Sequence, residues 1–585
     1  MPLAIELAAA RVEALGVTQL ADRLGDRFAL LAGGDRRAPS RQRSLAATVE
    51  WSYRLLDETE RRVFRQVSVF PAGFTLEAAE AVAGAGAGPA VLRLVDCSLL
   101  VPPRVGADGR SRYGMLETLR AYGAGQLDQA GEQEQAAAAL ARWALAVAEQ
   151  AAAGLQTGTG ELAAARWLDA EDATMRQVLA WAMTHDTAAA LRLAAALGLW
   201  WFLRARLPGE YPLLREVTGI AEPGSDAWCT AQLWLGYAAV NSADQPAALE
   251  SFTALRDAIA DGGPSRALAD ALAGRAMILT NLGRTAEAAA DAGRALAVAR
   301  QAGSPAAEAV ALVNLSFAAR NGGDLSGAVR LARQAEQIPA DIPGFIARVC
   351  SSVLADMLTA AGDLAAAERV CAANLTRYRD AGDLQNVTAL LRRIAVLDRK
   401  AGRTGDAAAH LREALQTALR AGSWLELGND LEACGFLCAA TGRPAEAITV
   451  WAADAALHGY EGFTGVPLDA WGWTEPLREA REALGPGRSR AAEERGAAMS
   501  LATAAEYALL LTAPAQPAAA DPGQLSARER ELITLVGQGC TDAQVAAQLS
   551  VSVRTVRSRL DRIRDKTGCR RRADLTRLAL QAGLV

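Results

Sequence analysis

Lysine is nearly missing from this 585-residue chain: among 61 basic residues only Lys400 and Lys566 are lysine. That scarcity bears on nucleotide chemistry. A phosphate-cradling Walker loop reads GxxxxGK followed by Ser or Thr, with the lysine on the terminal phosphates. Neither lysine follows a glycine, so neither the loop nor a nucleotide cofactor is expected in these residues. Histidine is limited to His185, His410 and His458, far apart in sequence, and the 8 cysteines form no paired CxxC motifs. A zinc site is therefore not expected, and free thiols of a cytoplasmic protein are the simpler reading. Aromatic residues make up only 5%. Charges interrupt every apolar run well before the roughly 18 residues a membrane span needs, so no membrane partner is expected. The N-terminal MPLAIELAAARVEAL carries Glu6 inside its apolar stretch and lacks a small-residue cleavage site, which argues against a signal peptide. No nucleophile–base pair is evident, and the scattered carboxylates read as surface; an enzyme is not expected.

What the chain does have is alanine and a period. Hydrophobic content is 51%, much of it alanine, which suits closely packed helices and a mainly α fold. Turn markers recur at Arg204, Asp244, Arg284, Asp324, Asp363, Arg403 and Arg443, at intervals of 40, 40, 40, 39, 40 and 40 residues, and the last six follow alanine or glycine. Four residues after the last six markers stands alanine: Ala248, Ala288, Ala328, Ala367, Ala407 and Ala447. After Arg204 that offset holds Pro208. A second breaker follows each later marker by 19 residues, at Gly263, Gly303, Pro343, Gly382, Gly422 and Gly462. Two breaks per period predict two helices per unit, with the alanine where neighbouring helices come closest. Residues 140–484 thus read as a solenoid of helical pairs resembling tetratricopeptide repeats, with a longer period than their usual 34 residues or so. Such an array leaves a face free for a protein or small-molecule ligand.

Residues 1–130 read as two helical blocks. The first closes at Gly33-Gly34. The second starts near Leu45, with Trp51, Tyr53, Leu55, Leu56, Val63, Phe64, Val67 and Phe70 expected in its core. Helices at 76–83 and 89–97 and a hairpin around Gly106–Gly109 complete a winged-helix-like pattern. With 16 basic and 15 acidic residues this block is charge-balanced, which favours internal packing over DNA binding. Residues 485–524 are expected to break the solenoid at GPGRSR, form one helix over AAMSLATAAEYALLL and end in a Pro/Ala linker.

Residues 525–585 differ in charge from everything before them. They hold 12 basic and 6 acidic residues in a chain whose formal net charge is −5. A positive terminal module on a negative body points to a polyanion at that end. Four helices are expected. Ser526 with Glu529 has capping-box spacing, Thr541 caps the second helix, and Ser552 caps the third, SVRTVRSRLDRIRDKTG. Val556, Leu560 and Ile563 share a core face, while Arg557, Ser558 and Asp561 lie off it, with Arg554 and Thr555 at the helix start. Helix, tight turn, helix is the arrangement that lays its second member in the DNA major groove. Arg557 is the leading candidate for a guanine reader, and Ser558 allows close approach. Asp561 either accepts from cytosine or repels phosphate; Arg559, Arg562 and Lys566 would hold phosphates.

These residues resemble the DNA-binding module of LuxR-type regulators. The matching pieces are LSxRE at 525–529, GxT at 539–541, SVSVRTV at 550–556 and KxG at 566–568. Asp542 stands where asparagine is common, and Arg559 where histidine is common. The resemblance implies contacts to double-stranded DNA from Thr541, Ser552, Arg554, Thr555, Val556, Arg557, Ser558, Arg559, Asp561, Arg562 and Lys566. It also implies a homodimer seam on the fourth helix at Leu575, Leu578 and Ala582, which could equally serve only to cover the core. PLAIELAAARVEAL, WSYRLLDETERRVFRQVSVFPAGFTLEAAEAV and YGMLETLRAY are similar to parts of large ATPase-containing LuxR regulators, whose P-loop half has no counterpart here. The expected function is a sequence-specific transcriptional regulator with the solenoid as sensor or interaction region. The alternative is a repeat scaffold with a weakly binding basic tail.

Overall fold

Helices dominate because alanine, leucine and arginine, all good helix formers, are abundant, and glycines punctuate them at the period read above. A computed structural model of the chain describes residues 45–157, 159–242, 244–338, 342–421, 424–458, 474–513, 525–537, 540–569 and 572–581. The first helical block, the Pro/Ala linker at 514–524 and Ala582 lie outside the described residues. The chain divides into two compact units. One runs to Gly154 and adds Ala163–Ala196; the other comprises Leu155–Leu162 and Leu197–Val585.

In the first unit, α1 (Leu45–Arg54), α2 (Glu58–Val67), α3 (Leu76–Ala83) and α4 (Ala87–Asp96) precede an antiparallel hairpin of β1 (Val101–Val105) and β2 (Ser111–Gly114); α5 (Glu117–Gln129), α6 (Gln133–Leu155) and α7 (Glu161–His185) follow, and α8 (Thr187–Leu203) belongs to this unit as far as Ala196. The winged-helix pattern is therefore present. Asp57 and Glu60 close a capping box on α2, and Thr75 caps α3. Tyr53, Leu56, Val63, Phe64, Val67 and Phe70 are buried as expected. Trp51 and Leu55 are not: they are 47% and 67% exposed. They stand four residues apart on the side of the chain facing away from Val49, Tyr53 and Leu56, so the helical repeat cannot bury both sets. The hairpin is tied down. Arg112 pairs with Asp108 at 2.8 Å and with the buried Glu171 of α7 at 2.7 Å, and the Arg110 guanidinium stacks 3.5 Å from the Trp167 ring. Arg110 and Arg112 are thus committed within the unit, whereas Arg104 on β1 is exposed.

In the second unit, α9 (Leu207–Ile220) leads into six pairs: α10 (Asp226–Asn241) with α11 (Gln245–Ala258), α12 (Arg266–Asn281) with α13 (Thr285–Gln301), α14 (Pro305–Asn321) with α15 (Leu325–Glu336), α16 (Gly344–Ala360) with α17 (Leu364–Ala381), α18 (Leu384–Lys400) with α19 (Thr404–Ala421), and α20 (Trp424–Ala440) with α21 (Pro444–His458). The markers open the second helix of each pair. Asp244, Asp324 and Asp363 are N-caps whose side chains accept from the third amide of the helix. Gly283, Gly323, Gly362, Gly402 and Gly442, each just before a marker, have φ between 71° and 87°, a left-handed turn that suits glycine. All six alanines at the fourth position are at most 1% exposed. The first marker behaves differently: Ala205 adopts the left-handed turn (φ 55°), and α9 starts only at Leu207. Close approach also governs the aromatic core. Phe252, fully buried, lies between Gly236 of α10 and Gly274 of α12, where an added Cβ would stand 2.5 Å from its ring.

The expected break at GPGRSR is narrower than the sequence suggests. Only Gly485 (φ 82°) interrupts; α22 (Thr474–Leu484) ends there, and Pro486 starts α23 (Pro486–Ala497), a position where its missing N–H costs nothing. α24 (Leu501–Leu511) follows. Ala492, Met499, Leu501, Ala504, Ala505 and Tyr507 join the same core as Leu431, Leu437 and Trp451. The solenoid core therefore runs on past residue 484, and the reason is steric: Gly496 is so close to α21 that a Cβ there would lie 2.2 Å from the Thr449 carbonyl.

Candidate nucleic-acid interface

Four short helices build the C-terminal module: α25 (Ala527–Gly537), α26 (Asp542–Gln548), α27 (Val553–Thr567) and α28 (Arg572–Gln581). Local chemistry sets their starts. The Ser526 amide donates to Glu529 at 2.8 Å, and the Glu529 amide donates to Ser526 Oγ at 3.3 Å. Thr541 and Gln544 repeat this box at 2.7 and 3.3 Å. Ser552 accepts from the Thr555 amide at 3.1 Å. Each cap is worth about 1 kcal/mol. Ser550 takes a left-handed conformation (φ 51°), which makes the sharp turn between α26 and α27, and Gly568 (φ 70°) ends α27.

Helix α27 has two faces. Val556, Leu560, Ile563 and Thr567 are buried, and the three aliphatic side chains pack with Leu532, Ile533, Val536, Val545 and Leu575. Burial of each is worth about 1.5–3 kcal/mol, which pins the rotation of the helix. Arg554, Arg557, Ser558, Asp561 and Arg562 form the exposed stripe, with Thr555 and Arg559 half-buried on its flanks. Val556, expected among the DNA contacts, has no exposed surface, cannot touch a ligand and belongs to the core. Leu575 and Leu578, expected on a dimer seam, are 0% and 5% exposed and fill the module's own core, so neither offers surface to a second copy.

The charged side chains are partly engaged. Lys566, expected on phosphate, donates to Glu529 at 2.7 Å and ties the end of α27 to the start of α25. That bond, with those from Ser526, holds the Glu529 carboxyl down at about 2. Asp561 accepts from Arg564 at 2.7 Å. Asp542 accepts from Arg557 Nε at 3.2 Å and pairs with Arg572, whose other nitrogen donates to the Cys540 carbonyl. Burial pushes the Asp542 carboxyl up, but the two arginines outweigh it and hold it below its usual range. Arg572 was not foreseen, since only the folded chain brings it to a carboxylate 30 residues earlier. Thr541 and Ser552 act as caps and keep exposed surface; Arg554, Arg557, Ser558 and Arg562 are exposed beside them, with Arg559 half-buried.

Residues 523–579 match the family described as bacterial regulatory proteins, luxR family. The C-terminal module is a LuxR-type DNA-binding domain. Residues 56–128 match the winged helix-turn-helix domain. A Mycobacterium tuberculosis protein whose name calls it an HTH-type transcriptional regulator is 35% identical over 318 residues, covering 52% of this chain and 32% of its own length. The chain thus spans about a third of that relative. The response regulator Rre1 of Synechocystis is 46% identical over 57 residues, 10% of this chain and 25% of that protein. Among solved structures, a signal transduction ATPase with a tetratricopeptide repeat sensor from Pyrococcus horikoshii aligns with TM-score 0.37 and 13% identity, over 82% of this chain and 74% of that one. Among the described residues no single helix is long and apolar enough to cross a membrane.

Proposed function

We propose that the whole chain is a sequence-specific transcriptional regulator whose LuxR-type module reads duplex DNA through α27. A single feature carries the reading: α27 is fixed by three buried aliphatic residues, and its opposite stripe exposes Arg554, Arg557, Ser558 and Arg562. A helix locked on one side and arginine-rich on the other can enter a major groove in one register. Arg557 contacts guanine; Arg554, Arg559 and Arg562 hold phosphates and set that register. The helical-pair array serves as a sensor or protein-interaction region, and its bound state sets how available the reader is. Reciprocal coupling requires that DNA then change the array's affinity for its ligand by the same factor. Neither lysine stands in a P-loop, so hydrolysis of that type is no part of this reading. Its place of work is the cytoplasm, where bacterial DNA lies.

The test is a selection of the full chain on a randomised duplex pool, followed by titrations of the enriched site and of random duplex at rising salt. A regulator retains at least about a thousandfold preference at salt that abolishes random binding. Equal decline of both with salt would instead identify a scaffold with a sticky tail.

A further inference from the structure

Asp542 stands at the start of α26, on the rim of an interface that meets a polyanion. A carboxylate there opposes phosphate, yet the fold surrounds it with two arginines from different helices. Their roles differ. Arg572 is 30% exposed and also bound to the Cys540 carbonyl, so it anchors the carboxylate to the module. Arg557 is 71% exposed and gives only its Nε to Asp542. A guanidinium is planar, so fixing Nε fixes the plane and leaves Nη1 and Nη2 as a fork. A guanine presents O6 and N7 in the major groove at the spacing that such a fork spans.

We infer that Asp542 is a specificity-determining positioning residue: it holds Arg557 at Nε so that the two terminal nitrogens face one guanine, and it discourages the same arginine from settling on phosphate. The inference rests on the base-reading role proposed above. An unrestrained Arg557 could swing to the nearest phosphate, which would add one sequence-independent contact and remove one base contact. Asp542 converts a general attraction into a choice between bases. The carboxylate itself need not touch DNA.

The experiment uses the full chain. Selection from a randomised duplex pool gives the preferred site, and Arg557→Ala identifies the guanine whose preference it erases. Anisotropy titrations then compare the preferred site, the same site with adenine at that guanine, and random duplex. Asp542→Asn should narrow the guanine-to-adenine ratio about tenfold. It should also tighten random binding and steepen its salt slope by about 0.9. Added to Arg557→Ala, it should narrow the ratio no further. Arg557→Lys, which keeps the charge without the fork, should narrow the ratio similarly. Asp542→Ser, another residue suited to a helix start, gives the same reading should Asn unfold the module. If either Asp542 variant left the ratio unchanged, or lowered preference only at positions that Arg557→Ala does not affect, the positioning role would be overturned with base reading intact. A wild-type chain enriching no site would overturn both.

Discussion

Replacing Gly274 by alanine adds one methyl group, and the structure says what it meets. The new Cβ would lie 2.5 Å from Phe252 Cδ1, against a comfortable carbon–carbon contact of about 3.5–4.0 Å. The ring cannot retreat easily. Gly236 meets the same ring at the same 2.5 Å, and the Tyr237 ring meets it edge-on with centroids 5.5 Å apart. In an exposed helix interior Gly→Ala would stabilise by about 1 kcal/mol. Here overpacking of about 1–3 kcal/mol opposes that gain, so a net loss of about 1 kcal/mol is expected. Gly293 in α13 is the control: it is exposed, nothing lies within 4 Å of its Cβ, and Gly293→Ala should gain about 0.5–1 kcal/mol. Urea unfolding followed by far-UV circular dichroism reads both. Phe252→Leu, costly alone, should cost less in the Gly274→Ala background, because the smaller side chain leaves room for the methyl. A Gly274→Ala protein as stable as Gly293→Ala would refute the close-packing account of the solenoid.

Four further outcomes follow from the same geometry. Arg562→Ala should weaken all duplexes alike and flatten the salt slope by about 0.9, as binding isotherms at several salt concentrations would read. Arg112→Ala strands the buried Glu171 carboxylate and should cost the winged-helix unit about 3 kcal/mol in urea unfolding, with affinity for the preferred duplex unchanged. Glu529 is held at about 2, below its unfolded value near 4.5, so its contribution is complete above pH 4.5 and is lost as pH falls toward 2. Amide exchange in α25 should accelerate over that window in the wild type and change less in Glu529→Gln. Asp270 moves the other way: burial, partly opposed by Arg266, raises its carboxyl to about 6. The folded state therefore binds its proton more tightly, stability falls as pH rises from about 3.8 to 6, and Asp270→Asn should raise the unfolding midpoint at pH 7 but not at pH 3.

Much of this was legible in the sequence because it is local. Ser526 with Glu529, Thr541 and Ser552 announce helix starts through chemistry spanning three residues. The alanine four residues past each marker announces close packing, because a period repeated six times leaves little else to explain it. What stayed hidden depends on distant segments meeting. Nothing in the order of residues pairs Lys566 with Glu529, 37 positions away, or gathers Arg557 and Arg572 around Asp542. Trp51 and Leu55 look like core by composition, yet Tyr53 and Leu56 take the buried side. GPGRSR looks like a boundary because glycine and proline punctuate it, although Pro486 merely begins the next helix.

Methylation interference at guanine N7 on the preferred duplex tests the central claim most directly, because N7 lies in the major groove, where the proposed contact of Arg557 would fall. One methylated guanine should abolish binding of the wild type and leave Arg557→Ala indifferent. Wild-type binding unaffected by methylation at every guanine would contradict it.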